Sequence, residues 1–147
     1  MKLALIGLAL SAALVAAAPS VGAGTPIVAR ALGVGTVKTP FTVKAKPGSM
    51  IVDSITIKPG GNFGWHTHGS AVAVVITGGT LTVFDPSVSD CAPFTVSKGQ
   101  SFVEPAGHLH LARNDGAKPV TLYAIYLGVP KGVQPNIPGT QPSGCNA

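Results

Sequence analysis

Charged and aromatic side chains are scarce in this sequence. Of its 147 residues, 10% are charged, with 10 Lys and Arg against 5 Asp and Glu, and 5% are aromatic. The basic residues are scattered and form no cluster interleaved with aromatics, which argues against a nucleic-acid partner. After the first residues there is also no segment with a 3.6-residue apolar period, which argues against a helical domain.

The one long apolar run lies at the N-terminus. Lys2 gives it a minimal positive start, Leu, Ala, Ile and Val continue to about Ala18, and small residues follow again at positions 21–23. This layout predicts a secretory signal peptide at residues 1–18, with cleavage as late as residue 23 as the alternative. A membrane anchor is a weaker interpretation, because a bilayer core requires about 20 apolar residues. We therefore expect a secreted protein, extracellular or periplasmic, with no membrane contact after cleavage.

Cysteine is also rare, since the chain contains only Cys91 and Cys145. An even number in an exported chain predicts one disulfide. In the chain-entropy model, closing a loop of this span contributes about 4 kcal/mol to stability. The bond would hold the Pro- and Gly-rich C-terminal tail, residues 130–147, against the rest of the domain. Metal ligation by the two thiols is the alternative, and their isolated positions disfavour it.

The pattern of residues 37–129 predicts a single all-β domain. Short runs rich in Val, Ile, Thr and Phe alternate with Gly and Pro turns, which is typical of a sandwich or a closed barrel. Residues 19–36 form a lead-in that is either flexible or an edge strand, and the C-terminal tail is expected to be irregular. The predicted strands are residues 41–45, 51–57, 63–68, 71–77, 80–84, 94–96, 101–104, 110–113 and 120–127.

All four histidines fall in two short segments. His66 and His68 are two residues apart on a predicted strand, so their side chains point to the same face. His108 and His110 follow the turn at residues 105–107 and open another predicted strand. A lone His-x-His pair arises by chance on protein surfaces, but two such segments indicate a site for a divalent metal ion, because imidazole is a common metal ligand.

The spacing around these histidines resembles the two motifs of the cupin superfamily. Nine of the ten marked motif positions agree. They are Gly60, His66, His68 and Gly79 in the first motif, and Gly99, Pro105, Gly107, His110 and Asn114 in the second. The resemblance covers residues 60–114 and is to the small, exported, single-domain members. It implies a double-stranded β-helix, or jelly-roll barrel. We expect the motif glycines to serve turns and close backbone approach.

The tenth motif position departs from the family. Cupins usually have a glutamate there that completes a site of three histidines and one glutamate, whereas this chain has Val72. The resemblance implies that His66, His68 and His110 still bind a metal, because three-histidine cupins exist and include dioxygenases that use ferrous iron. Imidazole accepts Fe, Mn, Zn, Cu and Ni, so the sequence does not select among them.

Two further residues near the motifs have open roles. His108 is either an additional ligand or, otherwise, a rim residue, a proton shuttle or simply an exposed side chain. Glu104, which precedes the second turn, is either a partner that fixes a histidine tautomer or a plain surface glutamate. The catalytic residues are unknown.

Three functions remain compatible with the sequence. The first is a metal-dependent oxidoreductase, such as a dioxygenase, that acts on a small organic molecule. The second is a protein that binds metal or a small ligand without turnover, because the sequence shows no unmistakable catalytic base and no nucleophile beside an activator. The third, a metal-free structural barrel, ranks lowest, since burying convergent imidazoles without partners is costly. Since dimers are common among cupins, a homodimer is compatible with the resemblance.

Overall fold

A computed structural model describes residues 29–147. The chain divides into two units, Met1–Arg30 and Ala31–Ala147, and every strand of the described residues lies in the second. The predicted signal peptide, with both cleavage points, lies outside the described residues, as does most of the predicted lead-in. Within the described range the one helix is a short 3₁₀ turn at Ser89–Cys91. No helix in that range is long and apolar enough to cross a membrane.

The second unit consists of ten strands in two five-stranded sheets. The first sheet has the order β1-β7-β4-β9-β2 and the second β10-β3-β8-β5-β6. In chain order the strands are β1 (Thr36–Val37), β2 (Ser49–Ile57), β3 (Asn62–Thr67), β4 (Ala71–Gly78), β5 (Thr80–Phe84), β6 (Phe94–Ser97), β7 (Gln100–Glu104), β8 (His110–Arg113), β9 (Val120–Val129) and β10 (Ile137–Pro138). All pairings are antiparallel except that of β1 with β7.

The main core lies between the inner faces of the two sheets. Strands β4 and β9 alternate buried and half-buried residues along their length, because successive side chains of a strand point to opposite faces. Their buried members pack with residues of β5, β6 and β8, such as Leu81 and Val96. A smaller cluster contains Trp65, Phe84 and Leu111 together with Cys91 and Cys145.

The predicted jelly roll is confirmed, and eight of the nine predicted strands correspond to strands of the structure within a few residues. The strand predicted at residues 41–45 is wrong, since these residues belong to no strand and all but Val43 are exposed. Phe41, Val43 and Ala45 alternate with polar residues as a strand would, but no strand among the described residues pairs with this run, so its apolar side chains have no covering face. The C-terminal tail, expected to be irregular, contributes the short strand β10. The predicted domain boundaries remain predictions.

Candidate metal centre

Strands β3 and β8 bring two histidines side by side. His66 and His110 are direct partners in the antiparallel pair, and their ring centroids are 4.3 Å apart. The pairing shifts its register between Asn62 and Trp65, where Gly64 has a φ of 68°. A β-bulge of this kind re-aims the side chains that follow it.

His68 completes a cluster with these two residues, which we call the histidine cluster (His66, His68 and His110). One ring nitrogen from each lies within 4.8 Å of the others. All three side chains are buried, with exposed fractions of 3–5%. The structure therefore brings together the three histidines that the sequence predicted to converge.

The Nδ1 atom of every ring in the histidine cluster contacts a backbone carbonyl. The acceptors are Gly64 for His66 at 3.0 Å, Pro135 for His68 at 2.8 Å, and His108 for His110 at 3.0 Å. A carbonyl oxygen can only accept, so each Nδ1 carries the proton. In the neutral rings each Nε2 therefore presents a lone pair, which is the arrangement found in metal-ligating histidines.

Glu104 reaches the histidine cluster from the opposite sheet. Its carboxylate oxygens lie 3.1 Å from Nε2 of His68 and 3.2 Å from Nε2 of His110. Neither contact is aligned as a hydrogen bond, because both Nε2 atoms are among the buried side-chain atoms without a hydrogen-bond partner. The plain surface position considered from the sequence is thus wrong, since the side chain is only 12% exposed and faces the site.

These contacts shift the pKa values of the site. Burial is the main influence on His66 and lowers its pKa, an effect strengthened by His110 and His68. Burial opposes ionisation of Glu104, but His110 and His68 outweigh it and lower the pKa of Glu104 to about 2. Burial also disfavours the charged form of His110, yet the Glu104 carboxylate raises the pKa of that ring. Glu104 is therefore an anion at neutral pH inside a mostly apolar interior, which requires a positive partner.

A small cavity of about 30 Å³ adjoins the histidine cluster. This volume suffices for about two water-sized molecules. Besides His66, His68 and Glu104, it is lined mainly by apolar side chains, among them Ile55, Leu81 and Leu122. Tyr126 and Asn136 supply polar groups at the same cavity.

Sequence reasoning assigned no role to Tyr126 or Asn136. The ring of Tyr126 is 5.5 Å from that of His68, and its hydroxyl is 3.5 Å from the side-chain oxygen of Asn136. Burial raises the pKa of Tyr126 to about 12, so it is a neutral phenol. Strand alternation could place Tyr126 on the inner face, but no local pattern could place Asn136, which lies in the C-terminal tail.

The structure does not bring His108 into the histidine cluster. Its side chain is 37% exposed, and its Nδ1 lies 3.5 Å from a carboxylate oxygen of Asp85. Of the roles left open for this residue, its position is that of a rim residue. It nevertheless contributes its backbone carbonyl to Nδ1 of His110.

The second-motif asparagine has a structural position. Asn114 is 1% exposed, and its amide nitrogen donates to the carbonyls of Ile57 and Lys118, each at 2.9 Å. Its side-chain oxygen accepts from the backbone N–H of Gly116. Backbone hydrogen bonds also join it to Gly60 and Gly61 of the first motif. Asn114 therefore ties the two motifs together away from the metal candidates.

The C-terminal tail lies against β3, the strand that carries His66. β10 pairs with β3, placing Ile137 opposite Thr67 and Pro138 opposite His66. The predicted disulfide between Cys91 and Cys145 is present and buried. This bond is compatible with an extracellular or periplasmic location.

The side chains of the site fit a divalent transition-metal ion. Imidazole nitrogens suit Zn, Cu, Fe and Ni, and a carboxylate adds affinity for Mn. Two buried Nε2 atoms lack hydrogen-bond partners, and a cation between them and Glu104 would accept their lone pairs. Neighbouring ligands of one ion at ~2.1 Å are roughly 3 Å apart, and the Nε2-to-carboxylate distances of 3.1 and 3.2 Å agree with that separation.

Comparisons with known proteins agree on the architecture. The family model for the Cupin domain matches residues 54–126, whereas no curated protein matches the sequence significantly. The polyketide cyclase RemF from Streptomyces resistomycificus has a TM-score of 0.53 at 12% identity, over 67% of this chain and 66% of the cyclase. The DMSP lyase DddQ from Ruegeria pomeroyi DSS-3 has a TM-score of 0.52 at 17% identity, over 61% of this chain and 43% of the lyase.

A third solved structure, a cupin domain from Bordetella pertussis Tohama I, is 24% identical over 66% of this chain and 97% of its own length, with a TM-score of 0.47. The chain thus spans about two thirds of the cyclase and less than half of the lyase. At these identities the likeness shows the fold alone. The family match and the motif spacing show that the chain carries a cupin domain, one with three clustered histidines and valine at the usual glutamate position.

Proposed function

We propose that this protein is an exported metalloprotein whose His66, His68 and His110 bind a divalent transition-metal ion that acts on a small molecule. The supporting observation is the common orientation of the three rings. Each Nδ1 donates to a backbone carbonyl, so Nε2 of each neutral ring presents a lone pair, and one ring nitrogen of each residue lies within 4.8 Å of the others. Export is supported by the N-terminal pattern and by the disulfide.

The surroundings of the histidine cluster suit chemistry on a very small molecule. When it is bound by few protein ligands, such a metal acts as a Lewis acid and keeps open coordination positions for a small molecule. Ile55, Leu81 and Leu122 line the cavity and limit the access of water. Tyr126, held neutral by burial, can donate a hydrogen bond to a molecule in the cavity. With a volume of about 30 Å³, the cavity admits only a small molecule unless the C-terminal tail moves.

The same small volume favours a second candidate, a cupin that holds its metal without turnover. Asn136 and the carbonyl of Pro135 place the C-terminal tail directly at the site. Dioxygen uptake by the metal-loaded protein with small organic candidates would distinguish the two functions. Uptake that disappears in His66→Ala supports the enzyme, and an absence of uptake with any candidate supports the binder.

Elemental analysis of the untagged full-length protein tests the metal centre itself. We expect about one transition-metal ion per chain, and loss of that ion in His66→Ala and in His110→Ala. His108→Ala is the matched control, because its side chain lies outside the histidine cluster. If occupancy survives both cluster substitutions, the proposed function is wrong.

A further inference from the structure

Val72 occupies the motif position where cupins usually have glutamate, and the residue directly opposite it on the neighbouring strand carries a carboxylate. Val72 is fully buried in the core and pairs with Glu104 between β4 and β7. Directly opposite residues of an antiparallel pair project to the same face with their Cβ atoms about 5 Å apart. Val72 also pairs with Tyr126 between β4 and β9. These three side chains therefore form one row across the sheet, facing the histidine cluster.

We infer that Glu104 is the fourth ligand of the metal and takes the place of the missing motif glutamate from the neighbouring strand. This inference rests on the proposed metal centre. It is supported by the short distances from the two Glu104 oxygens to Nε2 of His68 and of His110. The carboxylate is thus in contact with the atoms that would hold the ion, rather than with the Nδ1 atoms on the far side of the rings.

This position distinguishes a ligand from a residue that only orients histidines. An orienting carboxylate would accept a hydrogen bond from Nδ1–H, but all three Nδ1 positions in the histidine cluster are already taken by backbone carbonyls. In the neutral rings, Nε2 and the carboxylate are both acceptors, so their close approach requires either a shared proton or a metal ion between them. A divalent ion at this point satisfies both sets of lone pairs.

A fourth, anionic oxygen ligand has a chemical consequence. Imidazole alone favours Ni, Cu and Zn, whereas carboxylate oxygen favours Mn and other harder ions. Glu104 should therefore raise affinity for Mn²⁺ more than for Ni²⁺. A residue that merely supports the fold would change the affinities of both ions by the same factor.

The test is titration of Mn²⁺ and, separately, Ni²⁺ into the metal-stripped full-length protein. In Glu104→Ala we expect Mn²⁺ affinity to fall by more than about 100-fold, beyond the ~10–100-fold typical for loss of a residue that only orients ligands. The loss of Ni²⁺ affinity should be smaller by at least about tenfold. Asp85→Asn is the matched control, since it removes the same charge from a side chain 16% exposed, against 12% for Glu104.

The double variant Val72→Glu with Glu104→Val moves the carboxylate back to the motif position. We expect it to recover most of the Mn²⁺ affinity that Glu104→Val loses, because the two positions are direct cross-strand neighbours. Should the double variant fail to fold, the Mn²⁺ and Ni²⁺ affinities of Glu104→Gln test the inference instead, since this substitution keeps the shape of the side chain and removes its charge.

The outcomes separate the inference from the proposed function. If Glu104→Ala and Glu104→Gln keep wild-type affinity for both ions while His66→Ala abolishes binding, Glu104 is not a ligand and the histidine site stands. Equal losses of Mn²⁺ and Ni²⁺ affinity in Glu104→Gln would also overturn the inference. If His66→Ala binds both ions as the wild type does, the metal centre and the inference fail together.

Discussion

Nδ1 of His68 donates a hydrogen bond to the carbonyl oxygen of Pro135 over 2.8 Å. Pro135 belongs to the C-terminal tail, which pairs with β3 through β10 and is fastened by the disulfide between Cys91 and Cys145. The orientation of a candidate metal ligand therefore depends on a segment far from it in sequence.

Removing the disulfide should weaken the metal site as well as the fold. In the variant Cys91→Ser with Cys145→Ser, we expect metal affinity to fall by about tenfold, because the partner that orients His68 becomes mobile. The free energy of unfolding should fall by about 4 kcal/mol according to the chain-entropy model. Release of metal to a chelator and denaturant unfolding measure the two effects. Equal release rates for variant and wild type would show that the tail does not position His68.

Asn114→Ala should destabilise the protein by roughly 2–4 kcal/mol. The substitution leaves the buried carbonyl of Ile57 and the partly buried carbonyl of Lys118 without their hydrogen-bond donor. Asn62→Ala is the control, because Asn62 makes a single exposed hydrogen bond, to the N–H of Gly64. Denaturant unfolding compares the two variants. A similar cost in both would mean that Asn114 does not hold the motifs together.

Gly79→Ala should cost more stability than Gly60→Ala. Both glycines have a positive φ, 73° and 74°, so both variants lose about 1 kcal/mol or more to backbone strain. At Gly79 the added Cβ would also lie 2.7 Å from the carbonyl oxygen of Pro119, whereas at Gly60 nothing lies within 4 Å. Thermal unfolding of both variants measures the difference, and equal midpoints would contradict the crowding at Gly79.

Val72→Glu alone should destabilise the metal-free protein by at least about 3 kcal/mol. It places a carboxylate at a fully buried position, directly opposite the carboxylate of Glu104. Added Mn²⁺ should raise the unfolding temperature of the variant more than that of the wild type, because the ion offsets this repulsion. Val72→Gln, which lacks the second charge, is the control. An equal response of both variants to Mn²⁺ would show that position 72 does not face the ion.

The local sequence predicted the strands and the convergence of the three histidines well. Alternation places His66 and His68 on one face, and the Pro and Gly turn before His110 starts the strand that pairs with β3. The disulfide could be predicted too, because two cysteines allow one intramolecular pairing.

The contribution of Glu104 to the site could not be read from the sequence. Its approach to the histidines depends on the register of β4 with β7 and on how the two sheets face each other, and neither is encoded in a local pattern. The position of Asn136 has the same explanation, since it follows from the docking of the tail on β3. The wrongly predicted strand at residues 41–45 illustrates the opposite error, in which β-forming residue types lack a neighbouring face to cover them.

The attachment of the C-terminal tail bears on how the protein should be produced. A cytoplasm that keeps thiols reduced would yield chains in which Cys91 and Cys145 remain apart. Such material would retain the jelly roll, but the side chain of His68 would be less well oriented. Its metal content would therefore be lower than that of the oxidised protein. Periplasmic expression, or refolding under oxidising conditions with the C-terminus left untagged, is therefore the appropriate starting point for identifying the native metal.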